Sequence, residues 1–514
     1  MTNNIQKENS KRVAKNTFFL YFRMLLIMAV SLYTVRIVLS VLGVQDYGIF
    51  NVVAGVVTMF SFLSGTMTSA SQRFFAFELG RNDELQLKRV FSLSVTIHIL
   101  LGLIIFLCAE TFGVWFLNNK MTIPIERLVA ANWIFQFSIL SFMLTIITSP
   151  YDAILIAYEE FSIYAFVSIL EAVLKLIMVF LLKILFFDKL ITYGLLIFLA
   201  TGIISILFIT ICKRKYKESH YKFYWDKSLF KTMTSYAGWN MIGAMANIFK
   251  TQGSNILLNL FFGPIVNAAM GLAIQINNAL NGLIINFYMA VRPQITKAYA
   301  AGEKTYMMQL VFQSAKFSFF LLLVLSMPIL LETNFILNLW LKEVPKFTVL
   351  FTRLFLLNIL IEAMNNQLVA ALQASGKIKN YQAVISIMLL MILPISYIFF
   401  YFGYKPETIM YVYLSITILC FIPQIWIVHT TIGMSIKSYL KEVIFIMILV
   451  AIISFILPLY FHCNLEYGLL RFLLVGSSSL ISCLTVIYLI GLTKNERDLT
   501  SRYIKNKIIN NSIN

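Results

Sequence analysis

Residues 191–211 read ITYGLLIFLATGIISILFITI, and residues 212–231, directly after them, read CKRKYKESHYKFYWDKSLFK. The first stretch carries no charge. Coiled into a helix at 1.5 Å per residue it is about 30 Å long, the thickness of a bilayer's hydrocarbon. The second stretch holds Lys213, Arg214, Lys215, Lys217, Lys222, Lys227 and Lys231 against only Glu218 and Asp226, so it stays out of the lipid. The junction reads as one membrane crossing that ends on a positively charged face.

The same pattern recurs along the whole chain of 514 residues. Apolar runs fall near 17–40, 48–71, 90–110, 128–149, 161–184 and 191–211, then near 236–261, 266–290, 308–331, 348–369, 383–402 and 408–429, and last near 443–461 and 468–492. This predicts an all-α membrane protein with about 14 transmembrane helices. Composition agrees: 60% of residues are hydrophobic, 12% are charged and mean hydropathy is +0.82, whereas soluble domains carry about 25% charged residues. A transmembrane β-barrel is excluded, because its strands alternate apolar and polar residues over about 10 positions.

The formal net charge of +18 does not point to nucleic acid. The basic residues sit in alternate loops and both tails, roughly 27 on one face against about 6 on the other, which is the positive-inside pattern. Both termini are therefore expected in the cytoplasm of a bacterium, with the chain multi-pass in its inner membrane. The polar, basic N-terminus leads into an uncleaved first span. Cys108, Cys212, Cys420, Cys463 and Cys483 are scattered, with neither a disulfide framework nor a metal-ligand spacing.

The basic stretch near the middle reads as a linker. The expected organisation is an N-lobe over 1–211, a basic cytoplasmic linker over 212–235, a C-lobe over 236–429, and two further spans with a tail over 430–514. A weak internal repeat supports two pseudo-symmetric six-helix lobes. Leu42-Gly43 matches Phe262-Gly263, Arg73 matches Arg292, and Val90-Phe91 matches Val311-Phe312. The pattern Ala153-x-Leu155-x-Ala157 with Tyr164 matches Ala370-x-Leu372-x-Ala374 with Tyr381. Six spans per lobe preserve topology, so the repeats are parallel.

No phosphate-binding loop, zinc-protease, nucleophile-elbow or DxD signature occurs, and the four histidines are isolated. No catalytic residue, metal site or cofactor is assigned. The informative residues are charges inside apolar spans, which are costly in lipid and mark bundle interiors or wet cavities. They are mostly basic: Arg23, Arg36, Lys250, Lys316 and Arg353, with Arg73 and Arg292 closing spans 2 and 8. These cations are assigned to a cavity that binds an anionic cargo, Lys250 first, because it lies mid-span among Asn247, Thr251, Gln252 and Asn255. Glu171 and Lys175 stand one helical turn apart and read either as an ion pair or, with Glu362, as a coupling-ion site.

The stretch Arg36-Ile-Val-Leu-Ser-Val-Leu-Gly43-Val-Gln-Asp46-Tyr47-Gly48-Ile-Phe50, and the Ala370–Tyr381 stretch around Gly376-Lys377, resemble the polysaccharide-transporter branch of the multidrug/oligosaccharidyl-lipid/polysaccharide exporter superfamily. The resemblance is to bacterial O-antigen and capsule repeat-unit (Wzx-type) flippases. It implies two six-helix lobes around a V-shaped cavity, two extra C-terminal helices, and alternating access. It implies transfer of a polyprenyl-diphosphate-linked oligosaccharide from the cytoplasmic to the outer leaflet, among membrane lipids and beside polysaccharide polymerase and glycosyltransferase partners. The alternatives are a peptidoglycan lipid-precursor flippase, a multidrug exporter of the same fold, and, from another class, a membrane glycosyltransferase or polymerase.

Overall fold

The computed structural model describes residues 2–498 apart from 82, 159, 186 and 495; the side chains of residues 2–23 and of some later helical positions lie outside that description. Nearly every described residue is helical and none is in a strand. In chain order, α1 (Thr2–Thr58) is broken at Gly43, and α2 (Ser61–Arg81) follows it. α3 (Glu84–Cys108) passes through a π-turn (Ala109–Gly113) into α4 (Val114–Asn119). Then come α5 (Leu128–Ala157), α6 (Phe161–Ile184) and α7 (Lys189–Lys215). Beyond the basic stretch, α8 (Lys227–Ile248) runs through a π-turn (Phe249–Gly253) into α9 (Ser254–Phe262), followed by α10 (Pro264–Ala300). α11 (Lys304–Leu331), α12 (Thr333–Trp340), α13 (Thr348–Ser375), α14 (Lys379–Leu390), α15 (Ile392–Tyr401) and α16 (Thr408–Ile432) come next. The last are α17 (Ile436–Tyr439), α18 (Phe445–Asn464) and α19 (Leu469–Val486).

Among the described residues, 11 helices are long and apolar enough to cross a membrane. The expected spans 48–71, 236–261 and 266–290 fall on the end of α1 with α2, on α8–α9, and on α10. These are helical but carry polar residues such as Ser64, Thr66, Gln252, Asn255, Asn267 and Gln275. Outward faces are apolar: Ile448, Ile452 and Ile456 of α18 are 46%, 60% and 63% exposed at one-turn spacing, a stripe suited to lipid. The chain is a multi-pass helical membrane protein.

The fourth span was expected to stop at 149, before Pro150. α5 instead continues to Ala157 with Pro150 inside it, which moves Asp152 from a turn onto the helix.

Packing divides the chain into two compact units. One comprises Met1–Gln275, Leu341–Thr348 and Gln382–Val412, the other Ile276–Trp340, Val349–Tyr381 and Tyr413–Asn514. The basic stretch 212–235 thus lies within the first unit, whose membership follows contact rather than the repeat. With lipid as solvent, helices associate through close packing, small residues and interhelical hydrogen bonds. The first unit uses all three. Phe91 packs at 5.8 Å from Phe75 and at 5.2 Å, edge-on, from Tyr151. Ser71 and Ser94 share a buried hydrogen bond of 2.6 Å.

The motif around Gly43 has a local explanation throughout. Gly43 adopts φ 79°, ψ 170° and Gly263 adopts φ 77°, ψ −174°, so the two repeat-related turns share one left-handed backbone that favours glycine. Asp46 accepts from Arg127 Nε (2.8 Å) and from its NH2, and Arg127 NH1 donates to Asp188 (2.7 Å), which also caps α7 through the Leu190 and Ile191 N–H groups. One guanidinium therefore joins the starts of α5 and α7 to α1. Gly48 lies against the backbone of Pro264: an added Cβ would be 1.8 Å from the Pro264 carbonyl oxygen. Farther along, Gly271 leaves room for Asn51, and Gly55 for Gln252.

Candidate transport site

The first unit encloses a cavity of 570 Å³ whose lining includes Thr34, Asp152, Tyr164, Glu171, Lys175 and Tyr193. α5 contributes Asp152, α6 contributes Glu171 and Lys175, and α1 and α7 close the sides. Glu171 Oε1 accepts from Lys175 Nζ at 2.6 Å, both side chains about two-fifths exposed at 38% and 43%. Glu N-terminal to Lys at this spacing is the favourable orientation on a helix. Asp152 is close enough to Glu171 for the two carboxylates to interact electrostatically. Its Oδ1 atom, like Thr34 Oγ1, is buried with no hydrogen-bond partner among the described residues. Two carboxylates and one ammonium in a partly open cavity within the membrane-spanning helices can hold a proton or a small cation. Sequence reasoning found Glu171 and Lys175 but left Asp152 in a turn; the available signal is the uninterrupted apolar run Ala153-Ile-Leu-Ile-Ala157, which carries the helix on past it.

If the pair only braces α6, exchanging the charges as Glu171→Lys with Lys175→Glu should restore the transport that either single change removes. If Asp152 and Glu171 hold the coupling ion, the double variant and Asp152→Asn both lose transport, about tenfold or more, at normal protein levels. Export in cells complemented with each variant, set against immunoblotted protein, separates these outcomes.

Lys250 is on the π-turn of the seventh span and only 5% exposed; its carbonyl accepts from Ser254 Oγ at 2.5 Å. A π-turn widens one turn of a helix, a feature common at functional sites. The polar residues around it are largely engaged. Asn247 donates to Gly243 O at 3.0 Å and Thr251 to Asn247 O at 3.2 Å. Asn255, Asn259 and Asn267 form a buried network: Asn267 Nδ2 lies 2.7 Å from Asn255 Oδ1, and Asn259 Nδ2 is 3.0 Å from Asn267 Oδ1. Asn259 Oδ1 in turn accepts from the Thr122 N–H at 2.9 Å. Asn255 and Asn259 therefore tie α9 to α10 and to the loop at Thr122, while the exposed Asn247 bonds within its own helix.

The other cations go to different places. Arg36 and Arg73 in the first unit and Arg292 in the second are exposed, and Arg23 lies outside the described side chains. In the second unit, Lys316 is 4% exposed and pairs with Glu496 at 3.3 Å. Arg353 Nε donates to Leu330 O (3.1 Å) and Thr333 Oγ1 (3.3 Å), and its NH2 to Leu331 O (3.4 Å), where the carbonyl end of α11 favours a cation. Within this unit Lys316 and Arg353 thus serve separate partners. Glu362 and Arg292 both lie near enough to the Tyr288 hydroxyl to act on it electrostatically, and Asn366 donates to that hydroxyl at 3.1 Å. Sequence reasoning also missed Glu332, which is 1% exposed and lies 2.7 Å from His462 Nδ1 and 2.9 Å from Arg471 Nε.

An all-helical membrane chain with a broken first helix, a π-bulged seventh span and buried intramembrane charge shares its fold with solved membrane transporters. A multidrug resistance MATE family transporter in its inward-facing conformation matches with a TM-score of 0.67 at 13% identity, covering 79% of this chain and 94% of its own. The lipid II flippase MurJ in an inward closed conformation matches with a TM-score of 0.67 at 13% identity, covering 93% and 98%. A superfamily transporter from Pyrococcus furiosus, described as having a binding pocket of reversed polarity, matches with a TM-score of 0.62 at 14% identity, covering 82% and 96%. No curated protein matches the sequence. The chain belongs to the polysaccharide biosynthesis protein family, whose pattern matches residues 13–299, more than half its length.

Proposed function

We propose that this protein is a flippase that carries a polyprenyl-diphosphate-linked oligosaccharide, an O-antigen or capsule repeat unit, from the cytoplasmic to the outer leaflet by alternating access. The observation that carries this reading is the match to polysaccharide biosynthesis proteins across the first half of the chain. The buried Lys250 supports it, as a mid-span cation suited to diphosphate oxygens. A peptidoglycan lipid-precursor flippase is the second reading, favoured by the larger share of this chain that the MurJ structure covers, 93% against 79% for the MATE transporter. Both termini are assigned to the cytoplasm from the basic loops, and the protein works beside polymerase and glycosyltransferase partners.

No nucleotide is needed for such a step. Moving one charge across the membrane is worth about 2.3 kcal/mol per 100 mV, so a diphosphate driven outward by an inside-negative potential gains up to about 4–5 kcal/mol per 100 mV. Purified protein in liposomes is expected to flip a fluorescent polyprenyl-diphosphate oligosaccharide without ATP, faster with an inside-negative potential, and to leave a cationic drug unmoved. Strict ATP dependence refutes the scheme. Preference for a peptidoglycan precursor favours the second reading, and transport of the drug alone restores the multidrug exporter.

A further inference from the structure

The stretch between α7 and α8 is more than a linker. Residues 221–226 have no regular secondary structure, and they touch α3 between Arg89 and Thr96. The Lys222 N–H donates to Ser92 Oγ at 3.3 Å, the Tyr221 hydroxyl is 3.3 Å from Thr96 Oγ1, and the Arg89 guanidinium lies 5.6 Å over the Tyr224 ring.

The depth of this contact follows from helix length. α3 and its continuation form a rod of 36 residues, Glu84–Asn119, about 54 Å long. Hydrocarbon of about 30 Å, centred on the rod, leaves roughly 8 residues outside at each end. The hydrocarbon then begins near Ser92, where the strap crosses the helix. At that level Phe223 and Trp225 are 71% and 48% exposed, and Tyr221, whose hydroxyl reaches Thr96, is 41% exposed. Trp and Tyr concentrate at this boundary because one end of each ring is apolar and the other wet.

The charge around these rings is nearly all of one sign. Lys217, Lys222, Lys227 and Lys231 are exposed. The two acids of the stretch are turned to internal work: Asp226 caps α8 through the Leu229 N–H at 2.9 Å, and Glu218 accepts from the Tyr158 hydroxyl at 3.5 Å. An exposed aromatic edge beside exposed lysines fits an anionic phospholipid surface, to which basic residues are drawn.

We propose that residues 217–231 are an interfacial anchor, with Phe223 and Trp225 entering the boundary between headgroups and acyl chains while Lys222, Lys227 and Lys231 bind anionic phospholipid headgroups. The proposal rests on the orientation of the basic loops and is independent of the cargo. A photoreactive benzoylphenylalanine at position 223 of the full-length protein, in nanodiscs containing phosphatidylglycerol, should form lipid adducts as its main product. Phosphatidylglycerol should also raise the unfolding temperature of the wild type relative to phosphatidylcholine. Lys222→Glu, Lys227→Glu and Lys231→Glu together should abolish that rise, and the corresponding arginine triple should keep it. Adducts to protein alone, no lipid adduct, or a rise that survives the glutamate triple would each overturn the anchor.

Discussion

Gly48→Ala should cost more than any other single methyl group added to the first unit. A Cβ there would lie 1.8 Å from the Pro264 carbonyl oxygen and 2.6 Å from its carbonyl carbon. A Cβ essentially never comes within 3.0 Å of such an atom, and the obstacle is backbone, which cannot rotate aside. Overpacking a well-filled site costs about 1–3 kcal/mol, and this case belongs at or above the top of that range. The turn after Gly43 and the turn after Gly263 would be driven apart, and the hydrogen bond from Asn255 Nδ2 to Asn51 O, already 3.4 Å, would go with them. The expected result is a lower unfolding temperature in detergent and at least a tenfold loss of transport. Gly65→Ala is the control: nothing lies within 4 Å of its added Cβ, and alanine in a helix is favoured over glycine by about 1 kcal/mol. Equal behaviour of the two variants would show that the Gly48 contact carries no weight.

Glu332→Ala should be the most damaging change in the second unit. Its carboxylate ends α11 at 1% exposure and is shared by His462 at 2.7 Å and Arg471 at 2.9 Å, from α18 and α19. Arg471 is itself only 13% exposed and lies 5.0 Å over the Tyr467 ring. Removing one partner of a buried pair costs about 3–5 kcal/mol, because the remaining charge stays desolvated. Purified Glu332→Ala should unfold well below the wild type, with α18 and α19 the first segments to lose protection in hydrogen exchange. Arg471→Met added to Glu332→Ala should recover part of the loss, as expected of two residues whose energies are coupled. Two losses that simply add would mean that the pair is not coupled.

The fold was legible because the requirement is local: a helix that crosses lipid needs about 20 apolar residues in sequence, and the chain supplies them run after run. The Gly43 and Gly263 turns were legible as a repeat, and their backbones agree. The interior charges were only half legible. Glu171 and Lys175 are one turn apart, so sequence spacing finds the pair. Lys316 and Glu496 are 180 residues apart, and Glu332 meets His462 and Arg471 across 130 and 139; no spacing rule reaches so far. Arg353 escapes for another reason. Its partners are chiefly carbonyl oxygens at a helix end, which every sequence contains and none advertises. Asp152 was hidden by Pro150, which normally ends a helix but here sits inside one.

The pairing of Lys316 with Glu496 also has a cost in time. A ribosome adding about 5–20 residues per second takes about 9–36 seconds to travel the 180 residues between them. Throughout that interval α11 is already made and the carboxylate that its lysine ends against is not. The newborn chain must therefore keep an ammonium near water or headgroups until the span at Leu469–Val486 has been made, so that the turn at Ile487–Gly491 and the residues just after it complete the surroundings of a helix that was synthesised long before.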